Sequence, residues 1–281
     1  FCRGNMIGQG SFGAVYFGVN LATNELIAVK QVQLVPLKAK HGKPSPSSSR
    51  VQKMVEALSV EISLLRELSH EHVVRYLGFD VVDHVVSVFL EYVDGGSLAS
   101  MLSRYGRFEY GLAQSVTNQM LSGLEYLHDR CIIHRDIKGA NILVNKLGVV
   151  KIADFGISKK NEYKYQTNSR MSVQGTVFWM APEVMTNKGG GYSAKVDIWS
   201  LGCVVYEMLQ GHHPWQNLNE MQIMWKVGME KAAPPVPDNC REDAKEFLAR
   251  CFVVEPESRP TARELFSCIF PSVDPAEFDF K

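Results

Sequence analysis

His134-Arg135-Asp136-Ile137-Lys138-Gly139-Ala140-Asn141 sets a carboxylate, an amide and two cations within one short loop. A second acid, Asp154 of Asp154-Phe155-Gly156, follows eighteen residues after Asp136. An aspartate with an asparagine a few residues on is ordinary in solvated loops, where both cap turns. With Asp154-Phe155-Gly156 at this distance the pair becomes a chemical inventory. One acid can accept the proton of an attacking hydroxyl. An amide and another acid can hold Mg²⁺, and a lysine can neutralise phosphate charge as it redistributes. These residue types fit phosphoryl transfer, and that chemistry needs further parts from the rest of the chain.

Bulk properties set the frame. A chain of 281 residues suggests about two domains, or one with two lobes, and can bury roughly three quarters of its unfolded surface without a disulfide or metal staple. Thirty basic and thirty acidic side chains cancel, so no global field favours nucleic acid or an anionic membrane. The cysteines (Cys2, Cys131, Cys203, Cys240, Cys251, Cys268) are scattered without a CxxC pair and read as reduced, mostly buried thiols. No signal peptide opens the chain, and no apolar run approaches the ~18 residues of a membrane span. A cytoplasmic location is the expectation.

In chain order, Gly8-Gln9-Gly10-Ser11-Phe12-Gly13-Ala14-Val15 comes first. Dinucleotide-binding folds use the same glycine spacing, but there the glycines close a strand and open a helix. Here Val15–Val19 alternates as a strand, Ala22–Glu25 is a polar turn, and a second strand runs from Leu26 to Val32. Lys30 lies among apolar neighbours. On a half-buried strand it needs an acidic partner; on an edge strand it would simply point to water. Pro36–Arg50 breaks every periodicity and reads as a mobile insertion. Val51–Leu68 reads as an amphipathic helix carrying Glu56 and Glu61. Two more strands, Val74–Phe79 and Val85–Leu90, complete a small antiparallel sheet.

Beyond Gly96 the pattern turns helical. Leu112, Val116, Met120, Leu124 and Leu127 form one apolar stripe, and Asp197 begins another long helix, to about Gln210. His212-His213 looks metal-like, but adjacent side chains diverge, and loop packing is the expectation. Met221, Met224 and Trp225 are expected in the core of a further helix, with the last helices between Cys251 and Phe270.

HRDxxxxN followed by DFG, behind a glycine loop that leads into a strand, resembles the protein-kinase family over essentially the whole chain. The resemblance implies an α+β, bilobal kinase fold over 1–281. Its N-lobe would cover about 1–91, a hinge about 91–97 and a mainly helical C-lobe about 98–281, with 36–50 inserted. It implies ATP and Mg²⁺ as cofactors, Asp136 as catalytic base with Lys138 beside the transferring phosphoryl, and Asn141 and Asp154 as metal ligands. Lys30 would hold phosphates, paired with Glu61, since Glu56 lies a turn too early. Nucleotide contacts would come from Ile7, Gly8, Gln9, Gly10, Ser11, Phe12, Gly13, Val15, Ala28, Lys30, Leu90, Glu91, Val93 and Leu143.

The same resemblance makes Asp197 the anchor of the catalytic loop's backbone, pairs Glu183 with Arg259, and sets Thr176 against Asp136 and Lys138. Arg135 would receive an activation-segment phosphate, on Ser172 first and Thr167 second, placed by an upstream kinase or by autophosphorylation. HRDIKGAN, GTVFWMAPEV, YSAKVDIWSLGC and Val74-Arg75-Tyr76-Leu77-Gly78 resemble MAP kinase kinase kinases, those of the fungal cell-wall-integrity cascade above all. The substrate so implied is a MAP kinase kinase. A Ser/Thr kinase of germinal-centre type and a nucleotide-binding pseudokinase scaffold are the rival readings.

Overall fold

A computed structural model describes residues 1–10, 13–33, 66–154, 159–160, 176–186 and 191–267. The chain divides into two compact units, one of Phe1–His70 with Val74–Tyr92 and one of Glu71–Val73 with Val93–Lys281.

The first unit is an antiparallel sheet of β1 (Cys2–Gly10), β2 (Gly13–Val19), β3 (Leu26–Gln33), β4 (Tyr76–Val82) and β5 (Val85–Glu91), in the order β1-β2-β3-β5-β4. The polar turn before β3 closes with Asn24 left-handed, at φ 58°. Asp83 and His84, both at positive φ, join β4 to β5 in a two-residue turn whose twist matches that of the flanking strands. Val32, Val86 and Val88 pack with Tyr76 and Leu90 against one another. Gly13 has to be glycine: at φ 150° a Cβ would lie 2.0 Å from the Gln31 carbonyl oxygen. β4 starts and ends later than the sequence suggests. Val73 makes a parallel bridge to Ile152 instead, and the register against β5 shifts between Tyr76 and Gly78.

The second unit is mainly helical: α1 (Leu98–Tyr105), α2 (Tyr110–Asp129), α3 (Pro182–Met185), α4 (Lys195–Gln210), α5 (Glu220–Ile223), α6 (Glu242–Cys251) and α7 (Ala262–Ser267). Short strands β6 (Ile132–Ile133) and β9 (Lys159–Lys160) pair, as do β7 (Ile142–Val144) and β8 (Val150–Ile152). The α2 stripe behaves as its spacing demands, with Val116, Met120, Leu124 and Leu127 buried and Leu112 half-buried. α4 is buried on all sides from Val196 to Met208, the state of a helix apolar all round. At Gly202 a Cβ would sit 2.6 Å from that of Cys251, so the bare backbone of α4 lies directly against the Cys251 side chain at the end of α6. Gly211, left-handed at φ 81°, ends α4.

Arg259 knits this unit together. Its guanidinium is fully buried and bidentate to Glu183, at 2.7 and 3.1 Å, and it also donates to the carbonyls of Val253, Lys195 and Val254. The Lys195 ammonium returns a bond to the Arg259 carbonyl. A buried ion pair survives only with such full satisfaction of its donors.

Two expectations are corrected. Met221, Met224 and Trp225 are not core: they are 82%, 43% and 60% exposed. α5 is a single turn that runs into a π-helical segment, Met224–Met229, and only Ile223, Val227 and Gly228 turn inward. Among the described residues the cysteines are not mostly buried either: Cys203 and Cys251 are, Cys240 is intermediate, and Cys2 and Cys131 are exposed. His212 and His213 pack against aromatic rings as expected. Among the described residues no helix is long and apolar enough to cross a membrane.

Arg259→Ala is expected to lower stability by about 3–5 kcal/mol, because it strands the half-buried Glu183 carboxylate and the carbonyls of Val253, Val254 and Lys195. Arg263→Ala removes only surface pairs with Glu125 and Asp129. It should leave the urea midpoint unmoved, and the two midpoints compared give the check.

Candidate active site

The chemistry-bearing loop lies in the second unit, and β7 and β8 set its geometry. Ile142 pairs with Ile152, so Asn141 and Ala153 face each other at the open end of the hairpin, and Ala153 N–H donates to the Asn141 carbonyl at 2.8 Å. Asp154 is the next residue, at φ 62°. Asn141 and Asp154, far apart in sequence, are therefore held side by side by strand register. Asn145 makes the hairpin's turn by accepting from the N–H groups of Leu147 and Val149.

Within the loop, Lys138 Nζ donates to both Asp136 oxygens, at 2.9 and 2.8 Å. Asn141 Nδ2 donates to the Asp136 carbonyl at 2.8 Å and to its Oδ2 at 2.9 Å. The carboxylate is thus oriented from two sides while remaining partly exposed. His134 is fully buried. Asp136 N–H can only donate, so Nδ1 of His134 accepts from it at 3.2 Å, and the ring proton belongs on Nε2, which lies 3.0 Å from the Ala153 carbonyl. The histidine is a strut between the loop and the residue before Asp154.

Asp197, the third residue of α4, fixes the loop's main chain. It is buried, and it accepts from His134 N–H at 2.9 Å and Arg135 N–H at 2.8 Å, with His128 Nε2 at 2.9 Å. Burial pushes its acidity down, but the His128 hydrogen bond and the neighbouring histidines and loop N–H outweigh it and hold the carboxyl below its ordinary value of 3.8. Arg135 is left-handed at φ 71°, and its guanidinium lies over the Tyr192 ring at 5.1 Å.

The other expected residues fall as follows. Val15 pairs with Lys30 and Ala28 with Leu90, so these four share one face of the first unit's sheet, and Lys30 is buried. Gly8 pairs with Val15, and Gly10 with Gly13. Glu91 exchanges main-chain and side-chain bonds with Arg75. In the second unit Val93 is buried and Leu143 bridges to Ser97. Gly95 approaches Val144 so closely that a Cβ would be 2.3 Å from its carbonyl oxygen. Ser11, Phe12, Glu61, Thr167, Ser172 and the insertion 36–50 lie outside the described residues, as does the Thr176 side chain. The sequence reading missed His128 and the strut role of His134. The only signal for either was a histidine flanking the loop.

A family model, "Protein kinase domain", matches residues 1–270. The chain belongs to the protein kinase domain family. It is 48% identical over 283 residues to serine/threonine-protein kinase BCK1/SLK1/SSP31 of Saccharomyces cerevisiae, covering 99% of this chain and 18% of that protein. It is 45% identical to MAP kinase kinase kinase mkh1 of Schizosaccharomyces pombe, covering 99% and 25%. It is 46% identical to mitogen-activated protein kinase kinase kinase 2 of Arabidopsis thaliana, covering 94% and 39%. The kinase domain thus spans well under half the length of these relatives, which are fungal and plant kinases.

Asp197→Ala should strand two loop N–H donors, costing about 1–3 kcal/mol each. A carboxyl depressed in the fold stabilises above its ordinary value, and that contribution is lost as pH falls through the folded value. The gap in thermal stability between wild type and variant should therefore be flat at neutral pH and close only in acid, as melting curves across pH would show.

Proposed function

We propose that this domain is an ATP- and Mg²⁺-dependent serine/threonine protein kinase, cytoplasmic, whose substrate is a MAP kinase kinase. The observation that carries the reading is the doubly oriented Asp136 carboxylate, with Lys138 and Asn141 bonded to it and Asp154 set beside Asn141 by the β7–β8 register. A lysine two residues after the base suits a serine or threonine acceptor. The substrate class is suggested by the relatives named MAP kinase kinase kinases.

In this reading Asp136 orients the acceptor hydroxyl and takes its proton late, and Lys138 faces the transferring phosphoryl. The donor set fits a hard cation. Asn141 commits its amide N–H groups to Asp136, which leaves its carbonyl oxygen available, and that oxygen with the Asp154 carboxylate would hold the cation. Among the described residues no trio of His, Cys, Asp or Glu converges on a metal. That suits Mg²⁺, which keeps water and takes phosphate oxygens in place of further side chains. Once bound, the ion neutralises phosphate charge. Lys30, with Glu61 as its partner, and Ile7–Gly13 would contact the nucleotide's phosphates. Val15, Ala28, Leu90 and the main chain of Glu91 would be the first unit's contacts to the base, and Leu143 and the main chain of Val93 the second unit's. Phosphorylation of Ser172 or Thr167 would be read by Arg135.

The deciding experiment offers the purified domain labelled ATP, Mg²⁺ and a panel of inactive MAP kinase kinases beside generic proteins. Wild type is expected to label the panel preferentially. Asp136→Asn should lower kcat about 10²–10⁴-fold, and Asp154→Ala should abolish transfer. No incorporation by wild type would favour the scaffold reading, and equal labelling of generic proteins would favour a kinase of another branch.

A further inference from the structure

The chemistry above leaves an apolar stripe of the second unit unused. Met221, Trp225 and Met229 follow one another at four-residue spacing along α5 and the π-helical segment, on the side turned away from the inward Ile223, Val227 and Gly228. Met229 is 67% exposed, and Met221 and Trp225 are exposed as described for the fold. Leu218, Met221, Gln222 and Trp225, with Lys226 and Glu230, line an open cleft of about 370 Å³. The indole does not swing freely in it, because Trp225 Nε1 donates to Glu230 Oε1 at 3.0 Å. A tryptophan held in one orientation among methionines has the composition of an interface core rather than of a solvated helix face.

The charges beside the stripe indicate its partner. Lys226 Nζ lies 3.9 Å from a Glu230 oxygen, and Lys231 Nζ lies 3.3 Å from Glu255. Each cation is matched by an acid, and Glu220 adds one more acid in the first turn of α5. So balanced a face gives little attraction to a basic segment, a nucleic acid or an anionic membrane. It does complement itself. Trp225 and Met229 form one i,i+4 pair on the stripe, and Lys226 and Glu230 form a second on its flank. A two-fold axis across the helix reverses its direction and exchanges the ends of both pairs at once. Trp225 then faces the second copy's Met229, a sulfur against an indole, while Lys226 faces the second copy's Glu230. An isologous contact requires this property, that residue i meets j while j meets i. We propose that the Met221–Glu230 face is an isologous contact between two copies of this chain, with Trp225 as its anchor. A stripe this short buries less than a standard interface, so the pair forms weakly and reversibly. The inference does not depend on the phosphotransferase reading.

Sedimentation equilibrium of the purified chain tests this. The weight-average mass of wild type should climb from one copy toward two between about 1 and 300 μM, the range expected of a small interface. Trp225→Glu and Met229→Glu change exposed side chains, so both should melt close to wild type, and each should weaken pairing about tenfold or more, as loss of an interface anchor does. The charge pair supplies a sharper arm. Lys226→Glu sets acid against acid across the axis and Glu230→Lys sets cation against cation, so neither variant alone should pair at wild-type concentrations. Mixed in equal amounts, the two present opposite charges to one another and should pair again, a rescue that a role inside one copy cannot produce. Wild type that stays a single copy at the highest concentration overturns the proposal. So does pairing of the Trp225→Glu or Met229→Glu variant as tight as that of wild type, or a mixture of the two charge variants that fails to pair. A Trp225→Glu variant that raises KM for a phosphorylated protein, while wild type remains one copy, would make the face a dock for substrate and equally overturn it.

Discussion

The second unit depends on a carboxylate that touches no reacting atom. Asp197 receives the N–H groups of two successive residues, His134 and Arg135, and it can do so only because Arg135 takes a left-handed turn. Two successive N–H groups converging on one acid make a short anion cradle, and here the anion is built into the protein. Without it, a loop with a positive φ at a non-glycine residue would relax, and Asp136 would lose its direction. The histidines complete the arrangement. His128 braces the acid from behind, and His134 carries the loop's position across to Ala153 and so to Asp154.

α4 explains why this anchor can be buried at all. A helix enclosed on every side gives its polar residues no water, so each needs a protein partner. Asp197, Ser200 and Glu207 are the polar residues of α4 that make these contacts, and they serve different pieces of chain: the catalytic loop, the backbone of Trp179 and its indole. The close approach at Gly202 pins the same helix to α6. Position is thus transmitted from a rigid, apolar rod to two short segments that could not order themselves.

How much of this could be read from the chain follows from the range of each interaction. Asp136, Lys138 and Asn141 fall within six residues, and Asp154 follows through one hairpin, so the motif they form could be recognised in a short stretch of sequence. The α2 stripe was legible because it spans several full periods, and α4 was legible as a long helix, though its burial on all sides was not. Trp225 and its methionine neighbours were misread because a single turn of helix carries only one period, too little to reveal a buried face, and the π-helical widening at Met224–Met229 shifts which residues face inward. The late start of β4 could not be seen because it depends on Val73 pairing with Ile152, a partner far along the chain. The Glu207–Trp179 bond carries no local pattern at all.

Three buried or half-buried acids of the second unit make a graded series that no single residue reveals. Glu183 has a full guanidinium, with every Arg259 donor used. Asp197 has two amide donors and a histidine, enough to keep it ionised against its burial. Glu207 has one neutral indole, which is not enough, and its carboxyl rises to about 7. Compensation therefore falls in the order ion pair, amide cradle, single neutral donor, and proton affinity rises in the same order between Asp197 and Glu207. The least compensated of the three lies against the turn Thr176–Trp179, while the catalytic loop is held by Asp197, an acid whose donors outweigh its burial.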